Sequence, residues 1–277
     1  MPILELPDGK KLTYREEGDG PPLVLVHGSP AEGRSWSRVI PHLKDRFRVI
    51  SPDLPGYGKS DELPENAESR TAAMASSVVR LIQACGSPVV LAGHSFGGNV
   101  AAHAALQAPH GTVDRLVLFE PVFFRAIDLV GNSTMLAPAA AFFEDYASRA
   151  LAGEPHAVRL MIDFWFGADA WDRMPQAMRD FLSAAAARNA LDVRGSFREK
   201  VSMEHLASFQ RPVLVAYGSL SPPIVAAIVE ALAKLMPLAR PWVIDGATHG
   251  MLDSHAPEVA GLIAGDLGQS APEPLGP

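Results

Sequence analysis

The chain predicts an α/β fold built on a mainly parallel sheet with helices on both faces. Three observations carry this. Short, continuously apolar runs such as Leu23–Val26, Leu116–Phe119 and Val213–Tyr217 alternate with stretches of helical spacing, the pattern of strands buried on both faces. A Gly-x-Ser-x-Gly sequence, Gly93-His-Ser-Phe-Gly97, sits where the apolar run Pro88–Ala92 meets the helix-like run Asn99–Gln107. Residues 122–208 lack a strand pattern and are rich in Ala, Phe, Met and Trp, which reads as a helical insertion into the series.

The elements follow in order. Ile3–Leu6 and Lys11–Tyr14 flank Pro7-Asp8-Gly9 and predict an opening hairpin. After the strand Leu23–Val26, residues Ser35–Leu43 predict a short helix, and Phe47–Ile50 the next strand. Thr71–Ala84 carries apolar residues at helical spacing ahead of the strand at Pro88–Ala92. Beyond the insertion come the strand Val213–Tyr217, a helix over Pro223–Leu235, a strand at Trp242–Ile244 and a helix over Pro257–Leu267. The expected division is a core formed by residues 1–121 and 209–268, a helical cap over 122–208, and a loose Pro- and Gly-rich tail over 269–277.

Composition bounds the function. With 277 residues, 48% hydrophobic and 20% charged, the chain can bury a large core and is not a disordered type. A net charge of −7 argues against a nucleic-acid partner. The single cysteine, Cys85, excludes an internal disulfide and a cysteine metal cluster. No His-Glu-x-x-His or comparable ligand spacing appears, so neither metal nor cofactor is expected. The N-terminus has no secretory pattern, and no apolar run reaches the roughly 18 residues of a membrane span; the expectation is a cytoplasmic protein that does not engage membranes.

The Gly93–Gly97 segment has the form of a nucleophile elbow. A strand must turn sharply into a helix there, which lifts the Ser95 hydroxyl clear of the sheet and points the Phe96 N–H at developing negative charge. A serine hydroxyl needs an adjacent base, and His249, between Gly246 and Gly250 after the last strand, is the best placed of nine histidines. His255, six residues on, is the competing base.

Four signals in order, His27-Gly28-Ser29-Pro30, Asp53-Leu-Pro-Gly-Tyr-Gly-Lys-Ser60, Gly93-His-Ser-Phe-Gly97 and Gly246-Ala-Thr-His249-Gly, resemble those of the α/β-hydrolase superfamily, in its serine branch. The resemblance covers nearly the whole chain outside the insertion. It implies the α/β-hydrolase fold, a cap between the sixth and seventh strands and a Ser–acid–His triad. It also implies an oxyanion hole formed by the N–H groups of Ser29 and Phe96. Haloalkane dehalogenases and epoxide hydrolases of this fold carry Asp where this chain has Ser95. The Asp53 segment reads as structural, its carboxylate tying the N–H groups of its own turn, and His27 as a residue that orders the oxyanion loop.

The acid departs from the common pattern. Most relatives place an Asp in a turn after the seventh strand, where this chain reads Gly218-Ser-Leu-Ser221. Some members carry the acid at the end of the sixth strand, and Glu120 stands there after four apolar residues; a carboxylate so placed needs a partner. Asp245, Asp253, Asp192 and an acid-free dyad are the alternatives. The aromatics of the insertion, Phe123, Phe124, Phe142, Phe143, Phe164, Trp165, Phe166 and Trp171, supply cap core, and Phe123, Phe124, Phe143 and Trp165 are the candidate substrate contacts.

The expected activity is hydrolysis of an ester or related acyl bond of a small, largely apolar molecule through an acyl-enzyme. Carbon–carbon bond hydrolysis, lactonase and perhydrolase activity share the same triad. A non-catalytic ligand-binding receptor on this fold is the alternative from another class, favoured by the missing Asp after the seventh strand.

Overall fold

The structure, a computed structural model, describes residues 1–63 and 69–266. Its strands are β1 (Ile3–Glu5), β2 (Lys11–Glu17), β3 (Pro22–Val26), β4 (Arg48–Pro52), β5 (Val89–His94), β6 (Val113–Phe119), β7 (Val213–Gly218) and β8 (Ala239–Ile244). They form a sheet in the order β1-β2-β4-β3-β5-β6-β7-β8. From β4 to β8 every pairing is parallel; β1 and β2 are added antiparallel at one edge.

Alternation along each central strand divides the core in two. Val24, Val26, Leu116, Leu118, Val213 and Val215 face one layer, with Met74, Val78, Val100 and Ile228. Leu23, Leu25, Val117, Phe119, Leu214 and Ala216 face the other, with Trp36, Leu43, Val259 and Ile263. The first layer holds α1 (Arg70–Ala84), α2 (Phe96–Gln107) and, after the insertion, α9 (Pro223–Leu235). The second holds α10 (Met251–Ser254) and α11 (Ala256–Ala264). Helix α1 starts where the Ser69 hydroxyl accepts the Ala72 N–H at 3.2 Å, satisfying one of the donors that a helix start leaves open.

The insertion contains α3 (Phe124–Leu129), α4 (Ser133–Leu151), α5 (Val158–Phe166), α6 (Ala170–Arg173), α7 (Gln176–Ser196) and α8 (Met203–Ala207), between β6 and β7. Its two ends, α3 and α8, pack against α9 of the core, while α4 and α7 pack against each other above the site.

Other boundaries shift for local reasons. The helix expected over Ser35–Leu43 is two 3-10 turns, Gly33–Trp36 and Ile40–His42, because Pro41 has no N–H to continue an α-helix. Strand β2 runs on to Glu17 because it pairs with β4 as well as β1. The last helix begins at Ala256 and ends at Ala264; Leu267 and the tail over 269–277 lie outside the described residues. Among the described residues no helix is long and apolar enough to cross a membrane.

Candidate active site

The carboxyl ends of the parallel strands converge on one point, as expected for open α/β sheets. At the end of β5, Ser95 adopts φ 56° and ψ −128°, a left-handed conformation that a serine holds only where its surroundings impose it. The two flanking glycines are part of the imposition. A Cβ on Gly97 would lie 2.2 Å from the His27 carbonyl oxygen, and one on Gly93 2.3 Å from the Gly97 carbonyl oxygen.

Strand register then brings the acid alongside. The Ser95 N–H donates to Phe119 O at 2.9 Å, and the Glu120 N–H donates to Ala216 O at 2.8 Å. Glu120 is also left-handed, with φ 45°, which turns its carboxylate off the β6 end toward the loop carrying His249. His249 Nδ1 donates to Glu120 Oε2 at 2.6 Å, and its Nε2 lies 3.0 Å from Ser95 Oγ. All three residues are buried.

Glu120 stays charged despite its burial. Desolvation pushes its carboxyl up, but the bonds from His249, the Ser221 hydroxyl and the Gly218 N–H together hold it below the usual carboxylate value. Both Gly218, at 2.8 Å, and Ser221 donate to Oε1, which leaves Oε2 to the imidazole.

The other acids are engaged elsewhere. Asp245 accepts from Ser219 Oγ at 3.2 Å, Asp253 pairs with Arg38 at 3.3 Å, and Asp192 pairs with Arg70 at 2.7 Å. His255 bonds its neighbour Ser254 at 2.8 Å rather than Ser95. Two further histidines flank the site, His27 buried and His94 half-buried, both uncharged. Burial lowers His94 to about 3, with the adjacent His249 adding to it, and its Nε2–H donates to His249 O at 3.0 Å. Burial lowers His27 to about 4; it donates Nδ1–H to Gly28 O at 2.7 Å and accepts the Leu54 N–H at 2.9 Å, tying the Ser29 loop to the next one. Asp53 ties that loop in turn, accepting Gly33 N–H at 2.9 Å and Arg15 at 2.7 Å.

Among the described residues neither the Ser29 nor the Phe96 N–H donates to a protein acceptor, and both residues border the cavity at Ser95. That cavity is about 20 Å³, room for one water. Val122, Phe124, Phe143, Met161 and Trp165 form its apolar wall, and Asn189, Asp192 and Ser196 a polar one. Trp165 also stacks on the His249 ring, centroids 4.6 Å apart, so the cap shields the imidazole from solvent. Larger clefts, of about 490 and 510 Å³, border Lys10 and Arg80 in one case and His103 and Arg198 in the other; neither touches Ser95.

Three of the four expected substrate contacts therefore border the cavity. Phe123 does not: its ring is buried and stacks on His103, centroids 5.2 Å apart. Successive residues entering a helix diverge by roughly 100°, so Phe123 and Phe124 point to different neighbours. The sequence marks Ser221 only as the residue standing where most relatives carry their acid, not as a donor to Glu120, and no motif marks Met161 or Asn189. No group of three or more His, Cys, Asp or Glu able to hold a metal occurs among the described residues.

Over residues 21–256 the sequence matches the alpha/beta hydrolase fold family. The chain belongs to that family. The chain is 32% identical over 267 residues to polyketide synthase ThaQ of Burkholderia thailandensis, across 91% of this chain and 12% of that protein. To the soluble epoxide hydrolase of a Corynebacterium species it is 37% identical over 116 residues, 42% of this chain and 40% of that one. The matches thus span a small part of the first protein and under half of the second. Among solved structures, a thermophilic esterase from Thermogutta terrifontis superposes with a TM-score of 0.71 at 25% identity, covering 96% of this chain and 97% of that one. The eight-stranded sheet and the surrounding helices are those of the alpha/beta hydrolase fold.

Proposed function

We propose that this alpha/beta hydrolase is a serine hydrolase that cleaves an ester or related acyl bond of a small, largely apolar substrate through an acyl-enzyme. The observation that carries the reading is the unbroken chain Ser95 Oγ, His249 and Glu120, with contacts of 3.0 and 2.6 Å. Glu120 accepts the Nδ1–H, which fixes the tautomer whose Nε2 can take the serine proton.

In this mechanism Ser95 Oγ attacks the substrate carbonyl as His249 removes its proton. The N–H groups of Ser29 and Phe96 hold the oxyanion. His249 then protonates the leaving alcohol, and water activated by the same imidazole releases the acid. The apolar wall of Phe124, Phe143 and Trp165 favours an apolar acyl or aromatic group. Similarity to an epoxide hydrolase does not carry that activity over, because the attacking group here is the Ser95 hydroxyl.

Hydrolysis of p-nitrophenyl esters, from acetate to long acyl chains, by wild type and Ser95→Ala tests the reading. Turnover that disappears in the variant supports it, and the chain-length optimum sizes the pocket. Absence of turnover in wild type counts against ester hydrolysis and favours carbon–carbon cleavage, lactones or a binding role.

A further inference from the structure

One buried polar cluster beside Ser95 takes no part in the proton transfers of that mechanism. It centres on Asp192 of α7, which is fully buried. Asp192 Oδ1 accepts from Arg70 Nε at 2.7 Å, at the start of α1 in the core. Its Oδ2 accepts the Tyr57 hydroxyl proton. The Ser29 hydroxyl donates to the same Oδ2 at 2.9 Å, and its oxygen lies 2.7 Å from the Tyr57 hydroxyl oxygen. Asn189, one turn earlier on α7, donates Nδ2–H to Ser29 Oγ at 2.9 Å, and is itself held by the Tyr146 hydroxyl at 2.6 Å. The Ser29 side chain is therefore gripped from the cap on two sides and from the core on a third.

Stability is a poor explanation for such a cluster. Taking a carboxylate and a guanidinium out of water costs about what their attraction returns, so a buried pair adds little net stability. Its placement explains more. Ser29 follows Gly28, which abuts the nucleophile: a Cβ there would sit 3.0 Å from Ser95 Cβ. The Ser29 N–H is the oxyanion donor carried by a loop, whereas the Phe96 N–H is carried by a helix start. A donor contributes fully only when held in place before the charge develops. His27 holds the loop from the core side through Gly28 O.

We infer that Asp192 and Asn189 are positioning residues: through the Ser29 hydroxyl, cap helix α7 holds the Ser29 N–H in the oxyanion hole, which is complete only while α7 is docked. The inference rests on the serine hydrolase reading. It makes cap docking and acyl transfer one coupled event, so that a displaced cap admits substrate but leaves the hole with one fixed donor.

A double-mutant cycle tests it, with Ser29→Ala, Asp192→Asn and the double variant. The readouts are kcat and KM on a p-nitrophenyl ester, and the rate at which a fluorophosphonate inactivates the protein, an acylation-like reaction of Ser95 that needs the same hole. Ser29→Ala keeps the N–H and unpairs no buried charge. Asn189→Ala replaces Asp192→Asn in the cycle if the latter, which leaves Arg70 without its carboxylate, lacks a cooperative thermal transition. The expected result is a fall of about 10- to 100-fold in kcat and inactivation rate for each single variant, short of the roughly 10²–10³ for losing a donor outright. KM stays within about threefold, and the double variant is no worse than the weaker single. Equal kcat in wild type and Ser29→Ala, or effects that multiply in the double variant, overturn the inference. Wild type that neither turns over esters nor reacts with the fluorophosphonate overturns the hydrolase reading and this inference with it. Wild type that reacts, with Ser29→Ala reacting equally fast, overturns the positioning role alone.

Discussion

The Ser221 hydroxyl donates to Oε1 of Glu120 across 101 positions of sequence. The turn after β7, where most members of this family carry their acid, here supplies a donor to a carboxylate that arrives from β6. Gly218 N–H, at 2.8 Å, joins it on the same oxygen. A buried carboxylate that keeps its charge needs such donors, so replacing the acid by serine at this turn is compatible with an intact triad.

Ser221→Ala removes one of the two donors to Oε1. A hydrogen bond to a charged group is worth roughly 1.5–3 kcal/mol net, and only part of that passes through His249 to the reaction. We expect kcat/KM for an ester to fall about 10-fold while KM changes little. Steady-state kinetics decides it, and an unchanged kcat/KM would separate the Ser221 contact from the function of the acid.

Glu120→Gln keeps the shape but loses the charge and presents an amide to the imidazole. By analogy with loss of the triad acid elsewhere, kcat drops by about 10³–10⁴. Circular dichroism and the thermal midpoint verify that the fold survives. Activity within a factor of ten of wild type would mean that Ser95 and His249 work as a dyad.

Acid should destabilise the fold below pH 6.5 through His94 and His27. Both are held neutral, lowered to about 3 and about 4, whereas the unfolded chain takes up their protons below 6.5. Stability is therefore full above pH 6.5 and falls as pH drops from there toward those values, by about 1.4 kcal/mol per pH unit for each group. Denaturant unfolding of wild type and His94→Gln at pH 7.5, 5.5 and 4.5 tests the sign. The variant should lose less stability across this range; equal slopes would show that His94 does not contribute.

Trp165→Ala uncovers the His249 ring and enlarges a cavity of about 20 Å³. The expected outcome is a chain-length optimum moved to longer acyl groups, with kcat lowered several-fold as water reaches the imidazole. A profile identical to wild type, measured on the same p-nitrophenyl series, would place the acyl group away from Trp165.

Much of the site was legible because the chemistry sits in short motifs. Gly93–Gly97 marks Ser95 through a backbone turn that only small neighbours permit, as the 2.2 Å approach of a Gly97 Cβ to the His27 carbonyl illustrates. Glu120 was legible because a charge at the end of an apolar strand demands a partner. Short, continuously apolar runs also made the strands of the sheet readable, whereas Pro41 broke an expected helix into two turns. Helix direction was not readable at Phe123, which faces His103 although its neighbour Phe124 borders the cavity.

By itself, then, the sequence determined the sheet and the elbow and offered Ser95, His249 and Glu120 as candidates, with His255 and three other acids still open, since each of these depends on local backbone rules or on strand order. Only the tertiary structure decided what surrounds them. Ser221 against Glu120, Trp165 against His249, and Asp192 with Asn189 against Ser29 join segments 84 to 163 residues apart. The first is fixed by the register of neighbouring strands and the other two by packing of the cap on the core, for which no periodicity or motif along one segment carries a signal.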